Sequence, residues 1–511
     1  MPDDLLPKKV ESLYVTVYIG GRLRGCMGLA VHKLDDDLRR ISAAALDDQR
    51  FNPAIPVDAD SVAVTVSLLF DPLEIGYAPP EEVVNYYRHG DQTLMAYQGN
   101  RVGLLLPFVA SFWNYDAVNF AKAVLQKAGI AEPPYRWCRF DSTTWFAGHE
   151  GVWATIGGFA VPQKNLPPVN DLIANHGKLH LRYLLKHLRD DGTFYSAYQP
   201  FQNRLLEHVD VARLAHGGWV LARAHKMFGG EDVKNAADKV IDFLLGKAVR
   251  DEDEIWLQRD NETSSVAELS FLLLALSNLA DNDPRRSLIK DLATTLWRRI
   301  ELPHGRIATH KNSDDPSPDA FQDYFPSQVL LALATACEVD EERLQRSFQY
   351  YRHRFRYKRH FGQVTWLLQA FSKWWQLTGD PQFAAMVFEI ADWLLGYQQD
   401  KTGAFINDHQ SNTPGYTTAV YLEGVAAALP VAKGTDRYQT YYDSFARGFA
   451  FLDQLIIQER DRAILPNSDF ALGGLRQGLY YSEVRTDFVQ HSLSAILEFG
   501  GRIDCAEVFT V

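Results

Sequence analysis

The chain has 511 residues and a formal net charge of -12. That length exceeds one ordinary domain, and the charge offers no general attraction to nucleic acid or anionic lipid. Four scattered cysteines (Cys26, Cys138, Cys337, Cys505) form no CxxC pair, which argues against a disulfide framework or a cysteine-ligated zinc site. No run reaches about 18 apolar residues, so no membrane span is expected. Met1-Pro2-Asp3-Asp4 is not a basic segment followed by an apolar run, so a cytosolic protein is the expectation.

Residues 13–19 have strand composition, and Gly20-Gly21 makes a hairpin turn into a return strand, Leu23-Arg24-Gly25-Cys26-Met27-Gly28. A helix is predicted over 38–46 and a strand over 62–69, ended by Asp71-Pro72. A second hairpin crosses Gln98-Gly99-Asn100, and a helix is predicted over 113–128. Strands and helices mixed in this way predict an α+β domain.

Leu23 to Gly28 resembles the hallmark Leu-Arg-Gly-Cys-hydrophobic-Gly stretch of the AMMECR1 domain. Ala43-Ala44, Asp48, Arg50-Phe51 and Pro53 are similar to that family's small-residue helix and Arg-Phe-x-Pro turn. Leu105-Leu106-Pro107, Trp113 and Phe120 extend the likeness over roughly 150 residues. The resemblance implies the family's fold and a site centred on Cys26. Read from its neighbours alone, Cys26 has two readings. Arg24 is a nearby cation that favours a thiolate, and Gly25 and Gly28 allow close approach by a ligand. Equally, Cys26 fits a small buried residue on a strand whose glycines serve a bulge.

The first domain is placed at 1–160 and a Pro- and Asn-rich linker at 161–170. Residues 171–511 form the second domain. Twelve helices are predicted there, at about 172–189, 207–227, 233–248, 264–280, 285–300, 319–337, 340–355, 361–377, 382–398, 417–432, 436–457 and 482–499. Even-numbered members are the more apolar, so they belong inside. Six outer and six inner helices in alternation predict a C-terminal all-α (α/α)6 toroid with a short tail. The arrangement resembles six-hairpin glycosidase and sugar-epimerase toroids. The resemblance implies that inner-helix starts line one mouth of a central cavity.

The residues at those starts are polar and aromatic. Glu207, Asp210, Asp323, Asp408, Glu483 and Asp487 are candidate acids and bases. Crowded carboxylates push one another's pKa apart, and Asp408 and Glu483 are the preferred pair, because the segment before the tenth helix and the start of the twelfth should be neighbours across the ring's closing seam. His409 and His491 are the candidates if the chemistry is proton abstraction. Asn203, Tyr324, Tyr416, Tyr481, Arg485 and Gln490 are candidate substrate contacts, and so is Arg24 in the first domain. Carboxylates and stacking aromatics around a cleft suit a carbohydrate, and two carboxyl groups would suit its hydrolysis. An Asp or Glu in a helix's first turn also has an ordinary role, compensating the helix dipole.

No P-loop, no GxGxxG after a strand and no HExxH occurs, so no cofactor and no metal is predicted from motifs. The expected protein is a two-domain enzyme whose toroid acts on a carbohydrate as hydrolase, lyase or epimerase, beside a Cys26-centred site. The alternative is a non-catalytic toroid that binds a glycan or peptide, or a scaffold presenting the first domain.

Overall fold

The computed structural model describes residues 9–51, 62–148, 151–161, 168–208, 210–258, 263–302, 304–311, 321–407 and 413–500. They form two compact units. The first gathers Met1–Leu166, Tyr198–Leu205 and Gln454–Val484; the second gathers Pro167–Ala197, Leu206–Asp453 and Arg485–Val511.

The first unit begins with β1 (Ser12–Ile19), β2 (Arg22–Ala30), α1 (Leu34–Leu46) and β3 (Val62–Gly76). A short α2 (Pro80–Val83) follows, then β4 (Thr93–Gln98), β5 (Arg101–Leu105), α3 (Phe108–Trp113) and α4 (Ala117–Ala128). The run closes with β6 (Arg136–Gly148), β7 (Gly151–Ile156) and β8 (Phe159–Ala160). The main path of the sheet is β2-β1-β3-β6-β4-β5, with β7 on β6 and β8 on β7. Alternation in β1 sends Leu13, Val15, Val17 and Ile19 into one core with Ile41 and Ala45 of α1. Phe120 and Val124 of α4 build the other core with Leu94 and Trp137.

The structure differs from the sequence reading at four places here. The strand does not stop at Asp71-Pro72: Asp71 takes φ 48°, the register shifts there, and β3 runs on to Gly76. The helix predicted at 113–128 starts only at Ala117: Trp113 ends α3, Asn114 adopts φ 53°, and Asp116 caps α4. The long strand β6 was not predicted, because Asp141, Ser142, Thr143 and Thr144 interrupt its apolar pattern. Residues 151–156, for which no element is predicted, are strand β7.

Nor is the division sequential. Four short strands, β9 (Ala197–Gln199), β10 (Arg204–Leu206), β11 (Arg476–Gly478) and β12 (Tyr481–Arg485), form a second sheet in the order β10-β9-β12-β11. Residues 454–484 join the first unit through specific bonds. The Arg476 guanidinium lies 3.9 Å over the Phe159 ring. The Ala160 N–H donates to Asp461 at 3.0 Å and the Ser482 N–H to Asn114 at 2.8 Å.

The second unit holds α5 (Val169–His187), α6 (Val211–Phe228), α7 (Glu231–Gly246), α8 (Val266–Leu276), α9 (Ile289–Arg298) and α10 (Phe325–Ala336). It continues with α11 (Glu341–Tyr357), α12 (Phe361–Thr378), α13 (Pro381–Leu395), α14 (Thr417–Ala432), α15 (Arg437–Leu452) and α16 (Thr486–Gly500). All eleven residues of α8 are buried, Leu272 and Leu276 among them. Outer helix α7 buries only Val233, Ala236, Ala237, Val240, Ile241 and Leu244, a single stripe. The inner helices pack in turn, α6 on α8, α8 on α10, α10 on α12, α12 on α14 and α14 on α16, and α16 returns to α6. This closes an (α/α)6 ring. Among the described residues, no helix is long and apolar enough to cross a membrane.

Near the end of α5, His187 is fully buried and stacked on Tyr183 at 3.7 Å. Its Nδ1–H donates to the Tyr183 carbonyl at 2.9 Å. Burial holds its pKa down at about 3, against an ordinary 6.5. The unfolded chain therefore binds a proton here between those values that the folded chain refuses. This stabilising contribution is complete above about pH 6.5 and is lost as pH falls towards 3, on the order of 5 kcal/mol in all. Urea midpoints measured from pH 7 to 4 should fall less steeply in His187→Gln than in the parent. Equal slopes would place the acid sensitivity elsewhere.

Candidate functional site

The first turns of the inner helices, with the segments that lead into them, line a cavity of about 730 Å3 in the second unit. Among the described residues, two of its wall residues are carboxylates. Asp210 caps α6, accepting the Arg213 backbone N–H at 2.9 Å. Asp487, in the first turn of α16, accepts Nε and Nη2 of Arg485 at 3.0 and 2.6 Å. Nε of Arg213 lies 3.0 Å from the same carboxylate. Both wall carboxylates are thus matched by guanidinium groups. Arg485 also lies 4.8 Å over the Phe488 ring, and Tyr416 stacks on Phe488 at 3.5 Å.

Tyr324, ahead of α10, lines the opposite part of the wall. It can stand there because residue 362 is glycine: a Cβ on Gly362 would lie 2.4 Å from the Tyr324 ring. Phe271, Phe361, Trp366 and Tyr421 complete an aromatic lining.

Deeper in, α6 and α16 each contribute a histidine at the same depth of the helix. His216 and His491 have ring centroids 4.8 Å apart, and Trp366 lies within 6.0 Å of both. The His491 Nδ1 hydrogen bonds to the Glu423 carboxylate. Glu423 is fully buried on α14, and its other oxygen accepts Nε2 of Gln369 at 3.3 Å. A buried carboxylate needs such partners, since an unpaired one is strongly disfavoured. His216 is 3% exposed. Burial, and then the neighbouring His491, hold its pKa well below the ordinary imidazole value, so its ring is neutral.

Of the residues singled out in the sequence, Asp210, Tyr324, Tyr416, Arg485, Asp487 and His491 line this one cavity. Gln490 is buried beside it, against Gly217 next to His216. Asp323 is not a crowded carboxylate of the lining. It is 2% exposed, pairs with Arg354 of α11 at 2.6 Å and accepts Nε2 of Gln363 at 2.7 Å. Glu207 is exposed, 3.7 Å from Arg189, because α6 starts at Val211 and not at 207.

The last helix starts later than expected as well. Tyr481–Arg485 is a strand, and the Ser482 hydroxyl donates to the Ser111 carbonyl at 2.7 Å. Glu483 therefore stands on a strand of the first unit, accepting Nε2 of Gln199 at 3.1 Å. Tyr481 and Asn203 belong to that unit too. The Asn203 side chain accepts the Tyr198 hydroxyl at 2.9 Å, and Tyr481 lies 6.3 Å from the His89 ring. Asp408 and His409 lie outside the described residues.

In the first unit, Arg24 is buried and donates to the Asp48 carbonyl at 3.1 Å. It is not the cation that acts on Cys26; Lys127 and Arg50 are. Burial outweighs them and pushes the Cys26 thiol up, and the Thr16 hydroxyl lies 3.2 Å from its sulfur. A raised thiol is less nucleophilic at neutral pH.

His216 and Glu423 were missed in the sequence reading. A signal for Glu423 was present: it is the one charged residue in the sixteen of α14. A charge in the middle of an inner helix needs a partner, and so marks a polar contact inside the ring.

The AMMECR1 family profile matches residues 3–146. A protein of Methanothermobacter thermautotrophicus is 36% identical over 149 residues, 28% of this chain and 76% of that protein. The remainder of the chain is similar in fold to sugar epimerases. A solved cellobiose 2-epimerase from Bacillus thermoamylovorans B4167 has a TM-score of 0.51 at 13% identity, over 66% of this chain and 99% of that one. A sugar epimerase from a ruminal bacterium has a TM-score of 0.50 at 14% identity, over 66% and 99%. At such identities the likeness is one of fold.

Proposed function

We propose, for a chain that belongs to the AMMECR1 family through residues 3–146, that its helical ring is an enzyme converting a carbohydrate by proton transfer. The reaction class is epimerisation or isomerisation next to a carbonyl, and His491 is the acid–base group. One observation carries this reading: His491 opens on an aromatic-lined cavity while its Nδ1 is held by the buried Glu423 carboxylate.

That pairing fixes the tautomer. With its Nδ1–H given to Glu423, the imidazole keeps its Nε2 lone pair for the substrate, and the carboxylate stabilises the imidazolium that forms. A sugar in its open-chain form carries an acidic C–H beside the carbonyl. His491 takes that proton, and the electron pair moves onto the carbonyl oxygen as an enediolate. Return of the proton to the other face of the same carbon gives the epimer. Return to the neighbouring carbon, with a hydroxyl proton shifting between the oxygens, gives the isomer. Tyr416, Tyr324 and Trp366 offer ring faces and edges for the sugar.

Hydrolysis by paired carboxylates has less support. Asp210 and Asp487 are matched by Arg213 and Arg485.

The test is incubation of the full chain with a panel of mono- and disaccharides in D2O, followed by NMR. Deuterium at the carbon beside the carbonyl, together with a new epimer or ketose, is the expected result. New reducing ends without exchange would replace this reading with hydrolysis. No change in any sugar, with saturable binding, would leave a glycan-binding ring.

A further inference from the structure

We infer that His216, Glu423 and His491 form a binding site for one divalent transition-metal ion, and that the bound ion shuts off proton transfer at His491. The second half rests on the function proposed above; the first does not.

One ligand atom from each of the three residues lies within 4.8 Å of the other two. Tetrahedral zinc bonds of about 2.0–2.2 Å put neighbouring ligand atoms about 3.4 Å apart, so the side chains need draw in only slightly. Two imidazole nitrogens and one carboxylate oxygen select zinc, cobalt, nickel or copper over magnesium or calcium. The three ligands come from α6, α14 and α16, which the closed ring brings together. No spacing motif could show them, which is why the sequence predicts no metal.

A second observation points to a ligand. Nε2 of His216 is buried and has no hydrogen-bond partner among the described residues. A buried nitrogen is seldom left so, and a metal ion would supply its partner. Glu423 adds to this. Its hydrogen-bond partners are an imidazole and the neutral Gln369 amide, and a divalent ion would balance its charge. Entry is open, because both histidines line the cavity. The fourth position would be left to water or to a sugar hydroxyl. Binding commits the Glu423 carboxylate and a His491 lone pair together, and the pair then no longer relays a proton.

The experiment titrates the full chain, stripped with EDTA, first with Co2+ and then with competing Zn2+. One Co2+ per chain is expected, with the visible absorption of a low-symmetry site and quenching of indole fluorescence from the nearby Trp219 and Trp366. His216→Gln should weaken binding by at least about tenfold. His491→Asn, which alters a partly exposed side chain and so spares the core, should do the same if His216→Gln fails to fold. No saturable binding, or binding unchanged in both variants, overturns the site. Zn2+ that binds at this stoichiometry without inhibiting sugar conversion overturns the regulatory half. If no sugar is converted at all, the carbohydrate reading and the regulatory half fail together, while the Co2+ spectrum still decides the metal site.

Discussion

His491→Asn and Glu423→Gln should each lower kcat on the converted sugar by two to four orders of magnitude, with KM within a few-fold of the parent. General acid–base catalysis contributes about that much. The two variants remove different halves of one device. The first removes the atom that takes the proton. The second keeps the shape and one hydrogen bond but deletes the charge that stabilises the imidazolium. Asparagine keeps a polar atom where the Nδ1 stands, and glutamine leaves the bond to Gln369 in place. Melting temperatures should therefore stay within a few degrees of the parent. Asp210→Asn is the control, because Asp210 lines the same cavity as a helix cap, and it should lose far less turnover. Full activity in Glu423→Gln would sink the assignment. An early melt in that variant alone would make Glu423 a structural residue of the ring.

Gly25→Ala should destabilise the first unit by about 3 kcal/mol or more, at the upper end of what overpacking costs. A Cβ on Gly25 would lie 1.8 Å from the Ala45 carbonyl oxygen and 2.9 Å from the Asp48 Cβ. The nearest neighbour is backbone at the end of α1, not a flexible side chain, so α1 must lift from the sheet. That shift also pulls at Asp48, whose carboxylate accepts the Cys26 N–H at 3.1 Å and pairs with Arg50 at 2.7 Å. The Arg50 guanidinium holds the Asp48 carboxyl well below the usual range, so the cluster is ionised throughout the neutral range. Hydrogen exchange should show α1 and β2 opening first. A variant as stable as the parent would mean that the Gly25–Cys26 stretch serves a ligand rather than the seat of α1. Cys26→Ser, with its sulfur already half-buried against Thr16, should cost much less.

Local order in the chain carried the architecture. Alternating apolar residues at 13–19 become β1 because strand period and core face coincide there. Leu269 to Leu276 reads as an inner helix because a helix apolar all round has nowhere else to go. Such patterns are short-range, so a sequence displays them directly. The edges of elements were less legible. Asn114 and the strand over 481–485 depend on hydrogen bonds to residues far along the chain, and Asp71 sits at a register shift against β6; such pairings override local propensity.

The site divides in the same way. Asp210, Tyr416, Arg485 and Asp487 could be placed at the mouth, since the start of an inner helix is a local feature. The pairing of Asp210, Asp323 and Asp487 was a different matter. Which acids are neutralised depends on where Arg213, Arg354 and Arg485 reach, and that is set by packing between helices. The His491–Glu423 pair joins residues 68 apart, and His216 meets them only because α16 returns to α6. Ring closure is a long-range event, and pairings made across its seam leave no periodic trace in the order of residues.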